Sequence, residues 1–94
     1  DEASSELPLT AVINAEIERV VIDRTFVDSG GVRWVIDFKT GVHAGGSLEE
    51  FLKNELERYS GQLLKYEAAL RAYGETRPIR KGLYYPAHRA WVEA

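Results

Sequence analysis

At 94 residues, 45% hydrophobic and 29% charged, the chain has the size and composition of one folded domain and is too short for two separate cores. It has no cysteine, which excludes a disulfide scaffold, a thiolate zinc site and a cysteine nucleophile. No apolar run approaches the roughly 18 to 20 residues of a membrane-crossing helix, and the formal net charge of -3 argues against a general nucleic-acid binder.

The charge is unevenly spread. Residues 1 to 18 hold five acids and no Lys or Arg, whereas residues 71 to 94 hold Arg71, Arg77, Arg80, Lys81 and Arg89 against Glu75 and Glu93. The start DEASSELPL lacks the basic, apolar layout of a signal peptide, and an intracellular setting is expected. The missing initiator Met and the polar start read as a segment of a longer protein.

Taken in chain order, Leu7 to Asn14 reads as a first strand and the β-branched run from Ile17 to Val27 as a second, with Ala15 and Glu16 between them. Asp28-Ser29-Gly30-Gly31 is a turn signal, and Val32 to Phe38 resumes the β pattern as the other arm of a hairpin. Both arms carry apolar residues at both parities, as strands covered on both faces do. The glycine-rich stretch from residue 41 to 46 reads as a loop. Ser47-Leu48-Glu49-Glu50 then has the form of a capping box opening a long helix. Leu48, Leu52, Leu56, Tyr59, Leu63, Tyr66, Leu70 and Tyr73 form its apolar stripe, and Gly74 is its expected C-terminal stop. Gly61 inside the helix costs about 1 kcal/mol relative to Ala, and a kink or the close approach of another backbone is expected there. Pro78 blocks continuation of the helix, Ile79 to Tyr85 is the fourth strand, and a short fifth is expected near Ala90 to Val92. The class is α/β: a sheet of four or five strands with one packed helix, in the order β-β-β-α-β.

Asp23 and Asp37 stand out because each interrupts a β-branched run, where an unpaired carboxylate is costly to desolvate. Asp37 and Lys39, two apart on a strand, project from the same face. A two-residue loop at Ser29-Gly30 would set Asp23 opposite Ile36, facing away from Asp37. A three-residue loop, Asp28-Ser29-Gly30 or Ser29-Gly30-Gly31, puts both acids on one face, and a left-handed glycine at Gly30 or Gly31 suits that loop. The odd-length loop is therefore expected. Two converging carboxylates with a lysine beside them suit a hard divalent cation such as magnesium, or else form an Asp/Lys ion-pair network without chemistry.

Three stretches carry a family resemblance: Val20-Val21-Ile22-Asp23-Arg24, then Val35-Ile36-Asp37-Phe38-Lys39-Thr40-Gly41, then Tyr59 with Gln62-Leu63-Leu64-Lys65-Tyr66. Together, over residues 17 to 85, they resemble the PD-(D/E)XK nuclease domain of the RecB and AddA helicase-nucleases. That family has a G-x-I-D-R strand, a hydrophobic-D-Y-K-T/S strand and a Q-x-x-x-Y helix in this order. The resemblance implies a restriction-endonuclease-like core with a mixed sheet, a DNA exonuclease domain that hydrolyses phosphodiesters with Mg2+ or Mn2+. It also implies an ATP-dependent helicase-nuclease of the bacterial cytoplasm, acting in double-strand-break repair. DNA, as single strands delivered by the helicase, other domains of the parent chain and a partner subunit are the expected partners. Carried over by motif, Asp23 and Asp37 are metal ligands together with the backbone carbonyl of Phe38, and Lys39 is the catalytic lysine. Gln62 and Tyr66 face the site or the DNA backbone. The alternative is a degenerate nuclease-fold module that binds DNA or supports the helicase without cleaving.

Two positions depart from the pattern. Val20 stands where the family has glycine, and the family's upstream helix, which supplies a further acidic or histidine ligand, has no counterpart here, so the piece is expected to lack its first helix. Glu2 and Glu6 are offered as substitutes, but nothing in DEASSEL positions them. Elsewhere, GVHAGGS lacks the P-loop pattern and reads as a connector, and His43 and His88 are given no role. The basic C-terminal residues read as a solvated face. Trp34 and Trp91 read as packing residues, with Trp91 marking a surface on which other parts of the parent protein dock.

Overall fold

The computed structural model describes residues 3–41, 43 and 45–94. It is an α/β domain with one five-stranded mixed sheet and one long helix. The strands are β1 (Ser4–Ile13), β2 (Glu16–Val27), β3 (Arg33–Phe38), β4 (Ile79–Tyr85) and β5 (Ala90–Glu93), and they lie side by side in chain order. The helix α1 (Leu48–Ala72) joins β3 to β4, which run parallel. The other neighbouring pairs are antiparallel. Pro86–His88 forms a single 3-10 turn before β5. Among the described residues, no helix is long and apolar enough to cross a membrane.

Local chemistry sets the joints. Ile13 pairs with Glu16, so the β1–β2 turn is the two-residue Asn14-Ala15, with φ of 52° and 66°. Both values are positive, as in the type I′ turn that matches the strand twist of a tight hairpin. The β2–β3 loop is Ser29-Gly30-Gly31, with the Asp28 amide donating to the Val32 carbonyl at 2.9 Å and Gly31 at φ 81°. This is the odd-length loop expected from the paired glycines. Asp28 holds it from within: one carboxylate oxygen accepts from the Gly30 and Val32 amides, and the other accepts from the Trp34 indole at 2.8 Å. Those bonds, the Trp34 bond foremost, hold the Asp28 carboxyl below the usual carboxylate range.

Ser47 caps α1 by accepting from the Glu50 amide, and the helix ends where expected. Gly74, at φ 97°, donates to the Arg71 carbonyl while Glu75 donates to that of Leu70, the paired bonds of a Schellman stop. Just beyond, the Glu75 carboxylate receives Arg33 at 2.7 Å, and the Arg33 amide donates to the Pro78 carbonyl. The end of α1 is thus tied to the first residue of β3.

The core lies between the helix and one face of the sheet. Leu9, Ala11, Val20, Ile22, Val35, Leu83 and Tyr85 meet Leu63, Tyr66, Ala69 and Leu70 of α1, and a fully buried side chain of this kind is worth about 1.5 to 3 kcal/mol. Leu48 and Tyr73, at the ends of the helical stripe, are exposed. No element covers the other face of the sheet among the described residues, which corrects the expectation of strands buried on both sides. There Phe26 stacks on Trp34, Trp91 leans against Trp34, and the Arg80 guanidinium sits 4.6 Å from the Trp34 ring. The apolar residues of the second parity cover one another. The helix also runs without interruption through Gly61, and among the described residues nothing lies within 4 Å of where its Cβ would be, so the expected close approach does not occur among them.

Candidate functional site

The two acids meet because of the loop length. In the observed β2–β3 register Arg24 pairs with Ile36 and Thr25 with Val35, which sets Asp23 against Asp37 at the next step. Strand β2 is irregular there. The β1–β2 ladder pairs Ser5 with Arg24 and Leu7 with Ile22 but skips Glu6 and Asp23, and Glu6 has φ 51°. Ile22 and Thr25 are of opposite parity, yet both are fully buried. The strand therefore changes the face it buries between them, and Asp23 sits in that step. One of its oxygens accepts from the Phe38 amide at 2.9 Å. In the next peptide the Lys39 amide donates to Tyr84 on β4. A trans peptide points its carbonyl the opposite way, so the Phe38 carbonyl faces the β2 side, where Asp23 stands.

Asp37 is only 3% exposed. Burial, reinforced by the neighbouring Asp23 and opposed by Lys39, holds its carboxyl above the usual carboxylate range. Lys39 Nζ stands 2.8 Å from Asp37 Oδ2, but that buried oxygen accepts no aligned hydrogen bond, so the contact is one of charge rather than direction. Lys39 itself is well held. It donates to Gln62 Oε1 at 3.1 Å and lies 3.7 Å from the centre of the Tyr59 ring, a cation–π contact of favourable geometry. Gln62 in turn donates from Nε2 to the Tyr66 hydroxyl at 2.8 Å, the four-residue helical spacing making the pair adjacent. Burial, with the Asp37 and Asp23 charges behind it, pushes the Tyr66 hydroxyl further above its ordinary value, and it is a protonated donor at neutral pH as any tyrosine is.

Asp23, Asp37, Lys39, Gln62 and Tyr66 are thus brought together between β2, β3 and α1. Asp23, Asp37, Gln62 and Tyr66 border an open groove of about 740 Å³, and Lys39 stands behind Asp37. The groove walls also hold residues that sequence reasoning did not assign to a site: Glu18, Arg19, Val20 and Val21 from β2, and Gly61 and Lys65 from α1. Val20, Val21 and Lys65 lie in the stretches that carry the resemblance, and Gly61 stood out as an unexplained helical glycine. Glu6 is exposed and does not join the acids, and Glu2 lies outside the described residues. Among the described residues no group of three or more His, Cys, Asp and Glu side chains converges. His43 and His88 meet each other away from this groove, the His43 amide donating to His88 Nε2 at 2.9 Å.

Two adjacent carboxylates, one of them deeply buried, share the single ammonium of Lys39 and leave an excess of negative charge. A hard divalent cation suits that donor set. A scan against models of protein families finds no match to this chain, and a search of curated proteins finds none either.

Proposed function

We propose that this chain is a metal-dependent nuclease domain with a restriction-endonuclease-like core, which hydrolyses DNA phosphodiesters as part of an ATP-driven helicase-nuclease. The observation that carries the reading is the meeting of Asp23 with the buried, under-satisfied Asp37 beside Lys39. The three motifs that resemble the RecB and AddA nuclease domain fall on these same residues. Asp23, Asp37 and the Phe38 carbonyl would hold Mg2+ or Mn2+. When bound, such an ion supplies Lewis-acid polarisation of a phosphodiester.

The chain's own residues do the rest. Asp23 is oriented by the Phe38 amide, which fixes one of its oxygens, and the residue borders the groove. Lys39 offers a positive charge in a largely buried setting, where it stabilises the negative charge that builds on a phosphate under attack. Gln62 and Tyr59 hold that ammonium in place, and protonated Tyr66 closes the inner end as a hydrogen-bond donor beside Asp37. The arrangement is held by packing on α1, the preorganisation that electrostatic catalysis requires.

The second reading is a nuclease-fold module that binds DNA without cutting it. It is favoured by the pair of acids having no third carboxylate or histidine beside it among the described residues. Incubation of end-labelled DNA with the chain and Mn2+ separates the two. Cleavage that disappears in Asp37→Ala supports the nuclease. DNA and Mn2+ binding without cleavage supports the module, and the absence of both removes the two together.

A further inference from the structure

The groove that reaches Asp23 and Asp37 passes a glycine for which the fold offers no use. Gly61 is in the interior of α1, is not among the glycines with positive φ, and has no atom within 4 Å of its would-be Cβ. Glycine in a helix interior is retained at a cost in stability. Neither a turn nor a neighbouring backbone in this chain offsets it.

What Gly61 does is keep a passage open. Its bare backbone and Lys65 border both the groove toward the acids and a second depression of about 350 Å³, which continues past Leu64 to Ile13 and Asn14 at the β1–β2 turn. The two share Gly61 and Lys65 on their walls and together mark a track from the hairpin tip toward the paired carboxylates. Two cations border the groove toward the acids. Arg19 is exposed and makes no ion pair among the described residues, and Lys65, with its side chain 53% exposed, shares Glu18 at 3.4 Å. A polyanion drawn toward two carboxylates needs cationic contacts along its approach, and a groove that tracks one backbone with Lys and Arg is how single strands are held without sequence preference.

We infer that this track seats one strand of nucleic acid, whose sugar-phosphate backbone crosses α1 at Gly61 and is held there by Arg19 and Lys65. The inference rests on the nuclease reading for the destination of the strand, and adds its path and the residues that position it. The path runs between one helix and one strand, which suits a single backbone rather than a duplex.

The test is fluorescence anisotropy of a labelled oligodeoxythymidylate with the 94-residue chain in Ca2+, run beside Mn2+ calorimetry and thermal melts. Gly61→Gln should raise the Tm, because glutamine favours a helix, and leave Mn2+ binding unchanged, while weakening strand affinity at least tenfold. Arg19→Ala, a surface change with no packing to disturb, should weaken affinity severalfold and reduce the slope of log affinity against log salt by about one. Strand affinity unchanged in both variants, no strand binding by the parent chain, or equal affinity for duplex of the same sequence would each overturn the inference. Strand binding that responds as expected in a chain that takes up no Mn2+ would uphold the track and remove the nuclease reading instead.

Discussion

Asp23 and Asp37 oppose each other across neighbouring strands, the first bonded to the Phe38 amide and the second buried beside Lys39. Such a pair works against the fold that holds it. The folded state holds Asp37 above its ordinary carboxylate value, so its contribution is fully present below that value and is lost as pH rises through the folded one. At neutral pH without metal, the ionised group costs stability. Asp37→Asn should therefore melt higher than the parent in the presence of EDTA, by on the order of 1 kcal/mol, or roughly 4 to 8 °C for a domain of this size. The order should reverse in Mn2+, because only the parent gains from ligand binding. Melting both proteins in both buffers checks this, and a variant less stable in EDTA would contradict it.

Lys39 separates binding from chemistry. Its charge lies beside the carboxylates without being one of the expected ligands, so Lys39→Ala should retain Mn2+ and lose about a hundredfold or more in the rate of DNA cleavage, as removal of a transition-state charge contact does. Rate measurements at saturating Mn2+ test this. A variant that cleaves at the parent rate would take Lys39 out of the chemistry.

On the uncovered face of the sheet, Gly82 is a packing requirement. A Cβ there would collide with the Val92 carbonyl and come within 2.7 Å of the Trp91 indole. Because β5 is paired to β4 at this point and the carbonyl is backbone, little can give. Gly82→Ala should cost about 1 to 3 kcal/mol, the usual range for overpacking, read from urea denaturation. The same substitution at Gly61 should stabilise.

The Arg33–Glu75 pair sets part of the acid limb. The Arg33 guanidinium holds the Glu75 carboxyl at about 2, against an ordinary 4.5. The shift is downward, so the stabilisation is complete above about pH 4.5 and disappears as pH falls toward 2. Glu75→Gln should be less stable than the parent at neutral pH, and the two should converge as the solution is acidified to about pH 2. Urea denaturation along that series provides the check, and a constant gap would assign the loss to packing instead.

The local joints were legible in the sequence because each is written in a few adjacent residues. Gly30-Gly31 announced an odd-length loop, and that loop alone puts Asp23 and Asp37 on one face. Ser47 and Gly74 bounded the helix, and Pro78 and Pro86 bracketed β4. Relations between distant surfaces were not legible. Trp34 and Phe26 looked like residues needing a second cover, but they find it in each other, in Trp91 and in the flat guanidinium of Arg80. The irregular step at Asp23 arises from two ladders meeting on β2, which no window of that strand contains. Arg19 and Lys65 gain their place on the groove only when α1 packs over β2. Gly61 was visible as an anomaly, but the space it leaves open belongs to the packed structure.

The central claim is that Asp23 and Asp37 together form a divalent-cation site. Isothermal titration of Mn2+ into the chain, into Asp37→Ala and into Asp23→Ala tests it most directly. One site is expected in the parent, abolished by both substitutions, with the folded state retained by circular dichroism. Mn2+ uptake that is absent from the parent, or that persists equally in the two variants, would contradict it.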